Sequence, residues 1–137
     1  MPSHPSIRRA GCKINLYLRV GDTLPNGYHE LDTLFVPLPE PHDVLYISKS
    51  PACEIGETDD AEQKQSGIQV EFSVPGIDPA RNTLTKAYAW YAALTGFTPH
   101  LHVRVEKNVP HGAGLGGGSA DAAVLILYLQ EEAAKAG

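Results

Sequence analysis

Apolar and polar residues alternate along several short stretches of the chain, and that period of two predicts strands. "CKINLYLRV" (12–20) puts Ile14, Leu16, Leu18 and Val20 on one face. "LDTLFVPL" and "DVLYIS" predict two more strands, kept apart by "PEPH", whose prolines cannot continue a ladder. "IQVEFSV" (68–74) and "LHVRVEK" (101–107) alternate as well. Between the first two strands, "GDTLPNGYHE" (21–30) is turn-rich and tightest at Pro25, Asn26 and Gly27. The period then changes. Asn82 is placed to cap a helix that runs to Leu94 and is closed by Gly96. Leu84, Ala87, Tyr88 and Tyr91 fall at i, i+3, i+4 and i+7 and form its buried stripe. Trp90 lies off that stripe, with no role beyond packing. A last helix is expected over 119–136, apolar nearly all round between 122 and 129 and therefore buried in its first half. Residues 50–66, "SPACEIGETDDAEQKQS", are polar and acidic with little period and read as a surface loop or hairpin tip. Strands followed by helices in mixed order indicate an α+β fold.

Composition narrows the function classes. At 137 residues and 14.7 kDa the chain is one domain's worth. A net charge of −5 argues against a nucleic-acid partner, which would require a basic face. Two cysteines, Cys12 and Cys53, are too few for a disulfide framework or a zinc site, and Cys12, inside an apolar strand pattern, reads as a small core residue. "MPSHPSIRRAG" has no apolar run after its arginines, and the longest apolar stretch, 122–129, is too short to span a bilayer. The expectation is a cytoplasmic protein with no membrane partner.

The chemistry concentrates in "PHGAGLGGGSADAA" (110–123), which sets five glycines into the seven positions 112–118. Glycine is costly to order, so such a cluster requires a reason. A Walker A loop has G-x-x-x-x-G-K-[ST], but Gly118 stands where the lysine belongs. Gly112, Gly114 and Gly117 spell G-x-G-x-x-G, yet no second strand and ribose-binding acid follow. The protein-kinase loop joins two strands and has valine where Ser119 stands. What all three share remains. Glycines let successive backbone N–H groups converge on an anion, and the helix that follows adds its positive end. Ser119 can cap that helix or reach a phosphate oxygen or Mg²⁺.

Taken together, "VPHGAGLGGGSADAA" resembles the central motif of the GHMP kinase superfamily, P-x-G-A-G-L-G-x-S-S/A-A, whose loop cradles the triphosphate of ATP. "CKINLYLRVGDTLPNGYHELDTLF" (12–35) is similar to the N-terminal signature of the 4-diphosphocytidyl-2-C-methyl-D-erythritol kinases within it, and three glycines before the serine fit the same family. The resemblance implies a two-layer fold like domain 2 of ribosomal protein S5, a mixed sheet with helices on one face and a left-handed βαβ crossover. It implies ATP and Mg²⁺ as cofactors, a cytidylyl sugar alcohol as the small-molecule substrate, no nucleic acid, and room for a homodimer. Lys13 matches the lysine at the catalytic centre, and Asn15 the asparagine beside it. Tyr28 and His29 match the pair that recognises the cytidine. Pro110, His111, Gly112, Ala113, Gly114, Leu115, Gly116, Gly117, Gly118, Ser119 and Ala120 match the ATP loop, with Ser119 next to the metal. His111 occupies a variable position without a motif role, and Asp121 stands where the family has Asp or Asn and is expected to do no more than help the cap.

Members of this family are about twice as long, and a later G-A-D-V-P-type motif supplies the aspartate described as the catalytic base. That motif is absent from this sequence. The expectation is that residues 1–137 are the N-terminal domain alone, without its C-terminal companion, and have little or no turnover. Two further readings stay open: a GHMP kinase for a different alcohol, which the Asn26–His29 turn argues against, and a non-catalytic nucleotide- or RNA-binding module of the same fold.

Overall fold

A computed structural model describes residues 4–50 and 67–137. Six elements follow in the order β1 (Ser6–Thr23), β2 (His29–Lys49), β3 (Ile68–Phe72), α1 (Thr83–Thr95), β4 (Leu101–Glu106) and α2 (Gly117–Ala136). The strands form one mixed sheet in the order β1-β2-β4-β3. β1 with β2 and β2 with β4 are antiparallel, whereas β3 and β4 are parallel and joined through α1. The expected α+β architecture with a mixed sheet is present. The expected loop over 50–66, and Cys53 with it, lies outside the described residues from position 51 onward.

One face of the sheet makes the core. Leu45 and Ile47 of β2, Ile68 and Val70 of β3, and Leu101, Val103 and Val105 of β4 all point inward and are buried. From the helices come Leu84 and Tyr88 of α1 and Leu125, Tyr128 and Leu129 of α2. The intervening strand residues Tyr46, Arg104 and Glu71, neighbours in register, cross the solvent-facing side, where the Arg104 guanidinium lies 4.5 Å from the Tyr46 ring centre. Two ion pairs fasten α2 to the sheet, Arg8 with Glu131 and Lys49 with Glu132, both at 2.6 Å.

Helix α1 forms as its sequence predicts. The Asn82 side chain accepts the N–H groups of Leu84 and Thr85, the Thr85 hydroxyl accepts the Asn82 N–H in return, and left-handed Gly96 closes the helix. Trp90 is 59% exposed, so the packing role expected for it is not met. Helix α2 starts two residues earlier than its pattern suggests and buries one face only. Leu127 is exposed because the sheet covers a single side of the helix.

The prolines of "PEPH" do not end a strand. β2 continues through them, but the ladder skips: Ala10 pairs with Asp43 and Cys12 with Leu38, so four residues of β2 bulge opposite Gly11. A Cβ on Gly11 would strike the Leu38 carbonyl, so only glycine lets the two backbones pass so closely. Further register shifts between Asn15 and Tyr17 and between Val20 and Thr23 break the expected single apolar face of β1. Ile14, Leu16, Leu18 and Val20 are exposed, as are Leu31, Leu34 and Phe35 opposite them. Residues 13–36 thus form a two-stranded arm, apolar on its surface, that ends in the 25–27 turn. None of the described helices is long and apolar enough to cross a membrane.

Candidate functional site

β4 ends at Glu106, and the ten residues 107–116 lead from it into α2. The connecting loop contains three left-handed glycines, Gly112, Gly114 and Gly116, at φ values of 74°, 77° and 72°. The glycines leave backbone N–H groups uncovered by side chains. Gly116 is the N-cap of α2 and no side chain caps the helix, which leaves the first-turn N–H groups turned toward the loop. Ser119 is inside the first turn rather than at the cap, so of the two roles open to it capping is not taken up; the residue lines the cavity described next.

A cavity of about 570 Å³ opens between this loop and residues 76–83, a size typical of small-molecule sites. Its floor combines the apolar Phe72 and Ile77 with the polar Asn82, Lys107, Ser119 and Asp121. Two helices start on it. A Cβ at Gly118 would stand 3.5 Å from Thr83, so the positive ends of α1 and α2 converge on one volume. His111 reaches across the mouth, its Nε2 within 4.0 Å of where a Cβ on Gly76 would be.

Under the loop lies a buried charge cluster. The Lys107 ammonium donates to Asp43 Oδ2 at 2.6 Å and to Asp121 Oδ2 at 2.9 Å, and all three side chains are at most 4% exposed. Asp43 Oδ1 also accepts the backbone N–H groups of Asn108 and Val109, at 2.8 and 2.9 Å. Although burial opposes both shifts, the neighbouring Asp121 carboxyl and these donors hold the Asp43 carboxyl below its ordinary range, while the two carboxylates hold the Lys107 ammonium above its own. Asp121 is different. Its Oδ1 is buried without a partner, and desolvation pushes its carboxyl up to about 7. Asp121 therefore does not serve as a helix cap, the modest part expected of it. It is a buried carboxyl in the lining of the cavity.

The expected residues fall into two groups. Pro110, His111, Gly112, Gly114, Leu115, Gly116, Gly117, Gly118 and Ser119 line the cavity, while Ala113 and Ala120 do not. Lys13 stands on the other side of the loop, where its backbone N–H donates to the Leu115 carbonyl at 2.8 Å and its side chain packs against Gly116. The Lys13 ammonium reaches Asn15 Oδ1 at 3.2 Å. Tyr28 and His29 are not brought to the cavity. Tyr28 is 74% exposed at the arm's tip, and His29 pairs with Thr23, ten residues beyond Lys13. At ~3.3 Å per residue the ribbon between them is roughly 30 Å long. Sequence reasoning missed Asp43 and Lys107. Their signal was phase: Asp43 alternates with the buried Leu45 and Ile47, and Lys107 with Leu101, Val103 and Val105. Among the described residues no group of three His, Cys, Asp or Glu could hold a metal ion.

Comparison with known proteins places this geometry. Residues 82–136 match the GHMP kinases N terminal domain. The chain is 48% identical over 122 residues to the 4-diphosphocytidyl-2-C-methyl-D-erythritol kinase of Nitratidesulfovibrio vulgaris, which covers 89% of this chain and 38% of the relative. It is 44% identical over 135 residues to the kinase of the same name from Solidesulfovibrio magneticus, covering 98% and 42% respectively. A crystal structure of 4-(cytidine 5'-diphospho)-2C-methyl-D-erythritol kinase superposes with a TM-score of 0.66 at 32% identity, over 92% of this chain and 40% of that one. The homoserine kinase of Cytophaga hutchinsonii, at 19% identity and a TM-score of 0.53 over 93% and 35%, shares the fold alone. The chain spans about two fifths of the length of the curated relatives it matches.

Proposed function

We propose that this chain, which carries the N-terminal domain of the GHMP kinases, is the nucleotide-binding half of an enzyme that transfers phosphate from ATP to the 2-hydroxyl of 4-diphosphocytidyl-2-C-methyl-D-erythritol in the methylerythritol phosphate route to isoprenoids. The observation that carries the reading is the cavity between the two helix N-termini, walled by the glycine loop, with Lys13 hydrogen-bonded to that loop from the strand of the substrate signature. Converging N–H groups and two helix ends suit the triphosphate. Phe72 and Ile77 offer an apolar surface for the base.

Phosphoryl transfer is a matter of positioning and charge stabilisation. The Lys13 ammonium, oriented by Asn15, stabilises the equatorial oxygens of the moving phosphoryl group and orients the acceptor hydroxyl. ATP loses its terminal phosphoryl group to become ADP, and the alcohol becomes a phosphomonoester. The alcohol's proton passes to a carboxylate in the part of the enzyme that the relatives have and this chain does not span. The Ser119 hydroxyl would help to hold a Mg²⁺ brought in with the ATP, and the cation would neutralise charge on the phosphates. In this reading Tyr28 and His29, at the tip of the apolar arm over 13–36, meet the cytidine end of the substrate.

A chimera tests this reading: residues 1–137 replace the matching segment of the Nitratidesulfovibrio vulgaris relative, and ADP release is followed with the cytidylyl substrate. Turnover that is lost on Lys13→Ala supports the proposal. A folded chimera that binds ATP yet turns over only a different alcohol, or none, contradicts it.

A further inference from the structure

Asp43 is remote from the glycine loop in sequence, and no motif marks it, yet both ends of the loop are fastened to it. On the strand side, its Oδ1 takes the N–H groups of Asn108 and Val109, the last two residues before Pro110. The Asn108 side chain adds a bond to the His42 carbonyl at 3.0 Å, so two consecutive residues of β2 grip the lead-in. On the helix side, Asp43 Oδ2 holds Lys107, whose ammonium holds Asp121 in the second turn of α2. Val109, held in this way, packs against Gly117, where a Cβ would come within 3.0 Å of its Cγ1. Between these anchors, the Leu115 carbonyl of the loop accepts the backbone N–H of Lys13 from the sheet. The spacing of the loop's ends, and with it the direction of its N–H groups, is thus set from β2 by a carboxylate that is 0% exposed and cannot itself touch a ligand in the cavity.

We infer that Asp43 is a positioning residue for nucleotide binding, which fixes the glycine loop in the shape that receives the phosphates by tying its lead-in strand and its following helix to one point. The inference deepens the nucleotide reading and rests on it. Bonds to a charged group are the strong ones, and loss of this group frees two backbone donors and a lysine at once. A displacement of about 1 Å in such a site can cost on the order of 100-fold.

The test is isothermal titration of the 137-residue chain, wild type and Asp43→Ala, with three probes: MgATP, inorganic tripolyphosphate and adenosine. Circular dichroism and thermal melting set a temperature at which both proteins are folded. A positioning role predicts that Kd for ATP and tripolyphosphate rises about tenfold or more while Kd for adenosine moves less than about threefold. Asp43→Asn, which keeps an oxygen for the Asn108 and Val109 amides, should recover part of the loss, and it carries the comparison should the alanine variant unfold. A role in stability alone would lower the melting temperature and leave all three constants in place, or weaken all three together, and either result overturns the inference. A wild-type chain that binds neither ATP nor tripolyphosphate overturns the nucleotide reading itself, which separates that failure from this one.

Discussion

The backbone N–H of Lys13 donates to the carbonyl of Leu115 at 2.8 Å, joining the first strand to the middle of the glycine loop across most of the chain's length. The bond brings together the lysine proposed to act at the transferring phosphate and the loop proposed to hold ATP. Beside it, the Lys13 side chain packs on Gly116, whose φ of 72° only glycine adopts easily.

Gly116 is therefore sensitive twice. A Cβ there would lie 3.1 Å from Lys13 Cγ and in a left-handed conformation that costs roughly 1 kcal/mol for an alanine. Gly116→Ala should lower stability by about 1–2 kcal/mol in urea denaturation and also weaken ATP binding. Gly112→Ala meets nothing within 4 Å and should show the backbone cost alone.

Removal of Lys107 leaves Asp43 and Asp121 facing one another without a cation. Lys107→Met should destabilise the fold by about 3–5 kcal/mol, the range for a buried pair stripped of one partner. Urea unfolding followed by circular dichroism measures it. A loss no greater than that of the exposed Lys135→Met would refute the buried cluster as described.

Asp121 gives the fold a pH dependence of definite sign. Its folded pKa of about 7 lies above the ordinary value of a carboxyl, so between these values the folded state binds the extra proton. Stability is greatest on the acid side of that window and falls as pH rises, until the penalty is complete above pH ~7, with a slope of at most ~1.4 kcal/mol per pH unit. Asp121→Asn should remove the slope between about pH 5 and pH 7. Asp43, whose pKa is lowered, acts at the other end, and its contribution is present above the ordinary carboxyl range and is lost as pH falls below it. Thermal melts across this range decide the matter: parallel curves for wild type and Asp121→Asn would contradict the assignment.

Tyr28 is exposed and its ring has no partner among the described hydrogen bonds, so Tyr28→Ala should alter stability by less than about 0.5 kcal/mol. In the chimera, the same change should raise KM for the cytidylyl substrate and leave KM for ATP in place. An unchanged KM for the cytidylyl substrate would remove Tyr28 from the site.

Much of this was legible in the sequence because local rules suffice for it. The Asn82 cap, the Gly96 stop and the Leu84–Tyr91 stripe are short-range signals, and α1 follows them residue by residue. The glycine loop announced itself by cost: so many glycines at 112–118 needed a purpose. The rest depends on contacts between distant residues. Nothing near Pro39 and Pro41 tells a reader that β2 can bulge past Gly11 and continue. The buried cluster was hidden differently. Asp43, Lys107 and Asp121 each sit in the inward phase of their element, but a charged residue in an apolar phase reads as an interruption until its partners are known. The arm misled most. Alternation over 12–20 is a core signal, yet only Cys12 is buried, and Ile14, Leu16, Leu18 and Val20 face outward.

Amide hydrogen exchange by NMR, with and without MgATP, is the most direct measurement of whether the glycine loop holds a triphosphate. Protection that appears on ATP addition at Gly112, Gly114 and Gly116–Ser119, is reproduced by tripolyphosphate and is lost in Gly116→Ala is the expected result. ATP binding that leaves these amides exchanging as before, or protects a different part of the chain, would contradict it.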